Sequence, residues 1–163
     1  MSRAPIARLA FGLIVTLAAA AAARADDPAE EARRVAVKVT TAGAALFDAR
    51  DAKGLSLTYV EDARLEVSIR DKDSGELKTE TKVGRTEIEG YYQELFKSDR
   101  APHARNTVEH ARLLGDDLLT ISGFFELDTE AAESMKLPFL QVRARRGGEW
   151  RVLSLQVFVL FRK

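Results

Sequence analysis

The sequence predicts an α+β domain in which one curved, mixed or antiparallel sheet of six strands wraps over three helices in a cone, in the order α-α-β-β-α-β-β-β-β. Three observations predict this fold class. Apolar residues recur every three or four positions over 32–46, which is typical of a helix with one buried face. A hairpin-like pair of segments leads into a second amphipathic stretch at 84–96. Four strand-like segments then follow in succession, so the helices belong to the N-terminal half.

The N-terminal segment predicts a secretory signal peptide over 1–25. Basic residues near the start precede an apolar run at 9–23, and Ala23-Arg24-Ala25 is a small-x-small cleavage site. An uncleaved membrane anchor is the alternative, but the run is shorter than the ~20 apolar residues that span a bilayer. We therefore expect cleavage after Ala25, a secreted or periplasmic protein, and one domain over 26–163 without an integral membrane segment.

Composition narrows the classes of partner. The chain has 25 basic and 25 acidic side chains, and the predicted signal peptide removes three arginines and no acid, so the mature chain is mildly acidic. Nucleic acids and anionic membranes both favour a clustered positive surface, so neither is expected as the main partner. The absence of cysteine excludes disulfides, a lipobox and thiolate chemistry.

The first helix is expected from Pro28 to about Arg50. Acidic residues crowd around Pro28, which suits the positive end of a helix dipole. Residues 51–59 then predict a short second helix or a turn, because Gly54 weakens the helical propensity. The predicted buried stripe of the first helix consists of Ala32, Val35, Val39, Ala42 and Leu46.

A β-hairpin is expected next. Residues 63–70 alternate apolar and polar side chains, which is typical of a strand with one buried face. Residues 71–75 have turn chemistry, and 77–83 returns as a polar edge strand. In the helix that follows, Thr86 and Glu89 have the spacing of a capping box. The inner face of that helix is predicted to carry Ile88, Tyr91, Tyr92, Leu95 and Phe96.

Four further strands are predicted over 104–114, 118–127, 137–146 and 150–161. Gly147-Gly148 joins the last two as a tight hairpin. The last strand carries apolar residues on both faces, and a strand of that kind is covered on both sides. The helices can cover only one face, so we expect the other face to meet a second copy of the chain in a homodimer.

Three motifs carry a family resemblance. They are Tyr59-Val60-Glu61-Asp62-Ala63 at the start of the first strand, Gly84-Arg85-Thr86-Glu87-Ile88 running into Tyr91-Tyr92, and Gly148-Glu149-Trp150. With this set the chain resembles the nuclear-transport-factor-2-like superfamily, which includes polyketide-cyclase-like (SnoaL-like) proteins, ketosteroid isomerases and scytalone dehydratases. The resemblance implies a cone with a pocket between sheet and helices, often in a dimer. It implies no single activity, because isomerases, dehydratases, cyclases and non-catalytic modules share the fold.

The resemblance also identifies the positions at which ketosteroid isomerases keep their catalytic groups. Their proton-shuttling carboxylate matches Val67, their oxyanion-hole tyrosine matches a position close to Gly43, and their partner acid matches a position near Leu140. Valine, glycine and leucine side chains cannot titrate. Isomerase chemistry of that type is therefore not expected.

His103 and His110 are the only histidines and the natural candidates for general acid–base catalysis. The alternative function is thus a cyclase- or dehydratase-type enzyme that uses His110 with a pocket tyrosine. The simpler interpretation of His110 is a partly exposed residue on a strand near the sheet edge. His103 follows Pro102 at a loop-to-strand junction, where solvation is expected.

No metal or cofactor is expected. The chain has no cysteine, and its histidines do not form a pair at ligand spacing beside an acid. Asp71, Asp73 and Glu76 loosely suggest a calcium loop, but they lack the ligand number and spacing of an EF-hand. A hairpin turn is the better interpretation of these acids.

Four arginines cluster around the last predicted hairpin, namely Arg143, Arg145, Arg146 and Arg151. They could receive a carboxylate or a phosphate, and Arg143 and Arg145 would share one face of a strand. The sequence favours the simpler interpretation, a solvated strand face balanced by nearby acids.

The residues predicted to line the pocket combine aromatic and polar types. Tyrosine hydroxyls and an indole N–H would orient a ligand. Ser154 and Gln156 would add hydrogen bonds if their face of the last strand is the concave one. The predicted set is Tyr59, Val67, Tyr91, Tyr92, Leu140, Trp150, Ser154 and Gln156.

Three functions remain open from the sequence. The favoured one is a secreted, non-catalytic module whose apolar cone binds a small hydrophobic molecule or is filled by its own side chains, because the catalytic acids of the isomerases are missing. The second is the enzyme that uses His110. The third is a protein–protein module whose sheet recruits a partner or a second copy.

Overall fold

The computed structural model describes residues 27–97, 103–128 and 135–160. The signal peptide predicted at 1–25 and Phe161 of the last predicted strand lie outside these residues. Among the described helices, none combines the length and hydrophobicity that a membrane crossing requires. The elements are α1 (Pro28–Asp48), α2 (Ala52–Leu57), β1 (Tyr59–Arg70), β2 (Leu77–Val83), α3 (Gly84–Leu95), β3 (His103–Leu114), β4 (Leu118–Asp128), β5 (Met135–Arg146) and β6 (Glu149–Val159).

The six strands form one open sheet in the spatial order β2-β1-β6-β5-β4-β3. β1 and β6 run parallel, and every other neighbouring pair is antiparallel. The parallel pairing joins the N-terminal hairpin to the C-terminal strands in a single sheet. The predicted α+β class, with its mixed six-stranded sheet and three helices, is confirmed.

Two turns are built by residues that suit them. Gly147 and Gly148 have φ values of 59° and 85°, a left-handed backbone that glycine adopts without steric penalty, so β5 and β6 are joined tightly. In the β1–β2 turn, Asp71 Oδ1 accepts hydrogen bonds from the backbone N–H groups of Asp73 at 3.0 Å and Ser74 at 2.9 Å. The bond from Ser74 is the main reason why the pKa of Asp71 lies below its usual value. Asp71 therefore organises a hairpin turn.

α1 turns a stripe of small residues, spaced by four, to the sheet: Ala32, Ala36, Thr40 and Ala44. Ala42, which the sequence predicts to belong to this stripe, is exposed. Small side chains let α1 lie close to β3, where the Asn106 side-chain amide donates a hydrogen bond to the Thr40 carbonyl at 2.9 Å. The side chains of α1 that lie closest to the sheet are therefore the smallest ones. The larger Val35 and Val39 pack at the margin of this contact.

The start of α3 differs from the predicted capping box. Val83 is the N-cap residue and has no side-chain cap bond, while Glu87 Oε2 accepts the backbone N–H of Val83 at 2.9 Å. The prediction of a Thr86–Glu89 box was wrong because the helix begins at Gly84, whose φ of 80° turns the chain sharply out of β2. Glu89 instead accepts a hydrogen bond from the Ser56 hydroxyl at 3.2 Å, which ties α3 to α2.

A β-bulge determines which residues of β6 face the helices. Val142 of β5 lies opposite Ser154, whereas Arg143 lies opposite Val152, so Leu153 is the extra residue. In a regular strand Val152 and Leu155, which are three residues apart, would point to opposite faces. Because of the bulge, both lie on the concave face and line the cavity. Ser154 and Gln156 consequently lie on the convex face.

Two core clusters pack between the sheet and the helices. One joins α2 and α3 to β1 and includes Tyr59, Leu65 and Ile88. The other joins α1 to β3, β4 and β5 and includes Ala36 and Leu119. Members of both clusters line the open space described next, so the packing of the fold and the shape of the site are set by the same residues.

Candidate ligand-binding site

A cavity of about 470 Å³ opens between the concave face of the sheet and the helices. This volume lies within the range of small-molecule sites. The cone is therefore not filled by its own side chains. The apolar walls come from all three helices and four strands, and include Leu55, Leu65, Val67, Tyr91, Phe125, Phe139, Leu155 and Val157.

One end of the cavity holds a pair of buried tyrosines. Tyr59 at the start of β1 is 2% exposed, Tyr92 on α3 is 8% exposed, and their hydroxyl oxygens are 2.9 Å apart. Arg85 Nε donates to the Tyr59 carbonyl at 2.8 Å, which holds the first turn of α3 against this part of β1. Burial raises the pKa of Tyr59 to about 12 and also raises the pKa of Tyr92 well above its ordinary value. Both hydroxyls therefore keep their protons over the physiological range.

A buried arginine completes this end. Arg143 of β5 is 5% exposed and lines the cavity. Its Nε donates to Gln141 Oε1 at 2.7 Å and its Nη1 donates to the Trp150 carbonyl at 3.1 Å. Burial lowers its pKa to about 10, so the guanidinium still carries its charge at neutral pH. Within the described residues, no carboxylate forms an ion pair with it.

The rim is formed by groups with ordinary structural partners. Asp48 Oδ1 accepts the backbone N–H of Ala104 at 2.6 Å, and Asp48 Oδ2 lies 3.8 Å from His103 Nδ1. The Phe47 ring makes edge-to-face contacts with Phe96 and Phe125, with ring centroids 5.1 and 5.0 Å apart. These contacts join α1, the end of α3 and β4 around the cavity. The His103 side chain is 90% exposed.

Four of the predicted pocket residues line the cavity, and four do not. Tyr59, Val67, Tyr91 and Tyr92 line it, and so does Gly43, close to which the resemblance puts the isomerases' tyrosine. The residues outside are Leu140, Trp150, Ser154 and Gln156.

The strand registers explain these corrections. Leu140 is 49% exposed on the convex face, and its neighbours Phe139 and Gln141 face the cavity instead. Adjacent residues of a strand point to opposite faces, so Leu140 itself cannot line the cavity. Gln156 also lies on the convex face, where its Nε2 donates to Glu66 Oε2 at 2.7 Å. Trp150 packs with the cluster around α1 rather than in the cavity.

His110 lies away from the cavity. It is exposed on β3, opposite Ser122, just after a bulge at Glu109. Val108, on the other side of that bulge, belongs to the core. A reaction inside the cavity cannot use His110, so the enzyme hypothesis loses the residue on which it was based.

Gln141 and Arg143 are the site residues that the sequence reasoning missed. The arginine cluster was interpreted as a solvated face, which is wrong for Arg143 and fits Arg145, which is exposed. The signal was present, because Gln141 and Arg143 continue the alternation of Leu137 and Phe139 and therefore belong to the buried face of β5.

Other titratable clusters have structural roles. Glu126 on the convex face is buried beneath Arg105, Lys136 and Thr107. The hydrogen bond from Arg105 is the main cause of its lowered pKa. Among the described residues, no group of three or more histidine, aspartate or glutamate side chains is placed to hold a metal ion.

Comparison with solved structures identifies the fold. An NTF-2-like protein of unknown function from Shewanella oneidensis is similar with a TM-score of 0.62 at 11% identity, over 77% of this chain and 98% of that chain. A ketosteroid isomerase-like protein from Erwinia carotovora gives 0.61 at 15% identity, over 79% and 98% of the two chains. An NTF2-like protein with a cystatin-like fold from Novosphingobium aromaticivorans gives 0.55 at 19% identity, over 82% and 85%.

The sequence matches no family model and no curated protein. The structural similarity, at these low identities, establishes the fold and leaves the activity open. It agrees with the three sequence motifs that carry the resemblance. The chain has the cone fold of the nuclear-transport-factor-2-like superfamily.

Proposed function

We propose that this chain is a secreted or periplasmic, non-catalytic module whose cavity binds a small hydrophobic molecule. The observation that carries the proposal is the cavity of about 470 Å³, whose walls are mainly apolar and which is also lined by Tyr59, Tyr92 and Arg143. An apolar enclosure with a few polar groups that fix orientation is the usual design of a small-molecule site.

The titratable groups support binding rather than catalysis. The pKa of Tyr59 is about 12, that of Tyr92 is raised well above its ordinary value, and that of Arg143 is about 10, so all three lie far from neutrality. A general acid or base works best when its pKa lies near the working pH. The residue that the resemblance matches to the isomerases' proton shuttle is Val67, whose side chain cannot exchange a proton. The three polar groups can therefore orient a ligand without transferring its protons.

Filling the cavity from Gly43 tests the proposal. A Cβ at Gly43 would meet no atom within 4 Å, and this residue lines the cavity from the middle of α1. The backbone at Gly43 therefore accepts a side chain, and Gly43→Leu should extend into the cavity and also favour the helix. The matched control is Gly90→Leu on α3. A Cβ at Gly90 also meets no atom within 4 Å, but Gly90 does not line the cavity.

The measurement is binding of the neutral apolar dye N-phenyl-1-naphthylamine, followed by its fluorescence. The wild type and Gly90→Leu should bind the dye with similar affinity, and Gly43→Leu should bind it at least about tenfold more weakly. Circular dichroism of each variant shows that the fold is retained. Equal dye binding by all three proteins, or none by the wild type, would overturn the proposed function.

Secretion of the chain would require removal of the predicted signal peptide after Ala25. Mass spectrometry of the protein from a periplasmic extract should give a chain that begins at Asp26. The control is Ala25→Tyr, which replaces the small residue of the cleavage site and should leave the signal attached. A full-length wild-type chain retained in the cytoplasm would contradict the proposal.

A second candidate function is self-association through the convex face of the sheet. Leu140 is 49% exposed there, and half-buried Phe124, Pro138 and Phe158 lie on the same face of β4, β5 and β6. A second copy is the occupant that this surface favours, because a two-fold axis would place the patch against itself. Beside this patch Arg64 Nη1 and Glu66 Oε1 form an ion pair at 3.4 Å. A second copy would therefore meet one positive and one negative side chain there.

Light scattering at micromolar concentration tests this candidate. The wild type should be a dimer, and Leu140→Asp should be a monomer. The control is Leu57→Asp, because Leu57 is equally exposed (51%) but lies on α2, away from the sheet. A monomeric wild type, or equal effects of the two variants, would overturn the candidate.

A further inference from the structure

We propose that the hydrophobic molecule bound in the cavity ends in a carboxylate, which lies against Arg143 while its apolar part follows the inner faces of β5 and β6. The inference rests on the proposed function, since it assigns the chemical class of the ligand for the same cavity. Three features of the cavity carry it.

The first feature is the set of free donors on Arg143. A guanidinium has five N–H donors and no acceptor, and only two of these are used, by Gln141 and Trp150. No fully enclosed side-chain nitrogen or oxygen in the described residues lacks a partner. Nη2, which has no partner there, must therefore face open space, and the open space beside Arg143 is the cavity. A positive charge with free donors is thus presented to the ligand.

The second feature is the spare hydroxyl hydrogen of the tyrosine pair. Tyr59 and Tyr92 are 2.9 Å apart, so one hydroxyl donates to the other. The accepting tyrosine keeps its own hydrogen, for which the described residues provide no acceptor. Arg143 interacts electrostatically with both tyrosines, so the spare donor lies at the same end of the cavity. This end therefore offers free donors, and among the described residues no carboxylate pairs with the charge of Arg143.

A carboxylate satisfies these donors better than a phosphate. A carboxylate accepts two parallel hydrogen bonds from a guanidinium, and its single charge neutralises the single charge of Arg143. A phosphate monoester carries close to two negative charges at neutral pH. One of them would remain uncompensated in an apolar enclosure, which is strongly unfavourable.

The third feature is the apolar path that leads away from Arg143. Leu137 lies six residues from Arg143 on the same face of β5, about 20 Å along the strand. Between them Phe139 and, on β6, Val157 line the cavity. At the far end Ile69 is 42% exposed, so the path reaches the surface. An unbranched apolar chain with one carboxylate matches this layout.

Calorimetric titration with a matched pair of probes tests the inference. Decanoate and 1-decanol share the same chain and differ in the head group, and both are used below the concentration at which decanoate forms micelles. The wild type should bind decanoate about ten- to hundredfold more tightly than decanol, because charge-assisted hydrogen bonds form only with the carboxylate. Arg143→Gln should lower decanoate affinity to about that of decanol, and should weaken decanol binding much less, because the decanol head group is neutral.

The control variant is Arg145→Gln, which removes an exposed arginine two residues away on the same strand and should change neither affinity. The wild-type comparison of the two probes decides the question even if Arg143→Gln does not fold. Equal binding of decanoate and decanol would overturn the carboxylate while the proposed function stands. Binding of neither probe would overturn both.

Discussion

The hydroxyl oxygens of Tyr59 and Tyr92 lie 2.9 Å apart and join the first residue of β1 to the middle of α3 inside the protein. Arg85, in the first turn of α3, adds a bond from its Nε to the Tyr59 carbonyl. The same two tyrosines form one end of the cavity. The contact that attaches α3 to the sheet is thus also part of the candidate site.

Removing one hydroxyl from this pair should destabilise the fold. Tyr92→Phe leaves the Tyr59 hydroxyl without its partner at a buried position, so the free energy of unfolding should fall by about 1–2 kcal/mol. Tyr91→Phe is the control, since Tyr91 is only half-buried. Its effect should stay within about 0.5 kcal/mol. Urea unfolding measures both; equal losses would show that the tyrosine pair contributes no stability.

The free energy of unfolding should fall as the pH rises from about 10 to 12. Burial raises the pKa of Tyr59 to about 12 and holds that of Tyr92 well above its ordinary value near 10. In this window the unfolded chain has lost protons that the folded chain retains, so stability declines with pH. For Tyr59 alone the free energy of unfolding should fall by about 3 kcal/mol across this window. Below about pH 9 the full contribution of Tyr59 to stability is present.

Arg143 acts in the opposite direction in the same window. Burial lowers its pKa to about 10, so above that pH the folded chain sheds a proton that the unfolded chain keeps, which partly offsets the tyrosines. Urea unfolding at several pH values, with tyrosinate absorbance recorded on the same samples, checks the balance. Ionisation of all three tyrosines near pH 10 in the still-folded protein would contradict the expectation.

Arg143 and Gln141 should depend on each other for stability. Arg143→Met removes the donor to Gln141 Oε1, so a buried acceptor loses its bond and the free energy of unfolding should fall by about 1–3 kcal/mol. Adding Gln141→Leu should restore most of this loss, because apolar replacement of a buried polar pair is often neutral or stabilising. A double-mutant cycle from thermal unfolding measures the coupling. Strictly additive losses would show that the two side chains act independently.

The sequence predicted the elements well because their patterns are local. The alternation at 63–70 and the glycines at 147–148 indicated β1 and the β5–β6 turn, and both are found. Tyr59, which the sequence predicts to line the pocket as an aromatic residue, lies in the cavity wall. Local periodicity and turn chemistry carry this information without reference to the rest of the chain.

The site was harder to predict because it depends on register. A shift of one residue separates exposed Leu140 from cavity-lining Gln141, and the bulge at Leu153 turns Val152 inward against the simple alternation. Such bulges are determined by pairing between strands that are distant in sequence. The charge of Arg143 led to a prediction of solvent exposure, although its position in β5 indicated burial.

The bulge in β3 leads to a last prediction, at Gly123 of β4. A Cβ at this position would overlap the backbone carbonyl of Thr107, just before the bulged residue Glu109. Gly123→Ala should therefore force the two strands apart and lower the free energy of unfolding by about 3 kcal/mol or more, since backbone cannot move aside as a flexible side chain can. Gly43→Ala is the control: it meets open space within α1 and should raise the free energy of unfolding by about 0.5–1 kcal/mol. Urea unfolding of both variants measures the difference, and a Gly123→Ala protein as stable as the wild type would show that β3 and β4 do not approach as closely as this bulge requires.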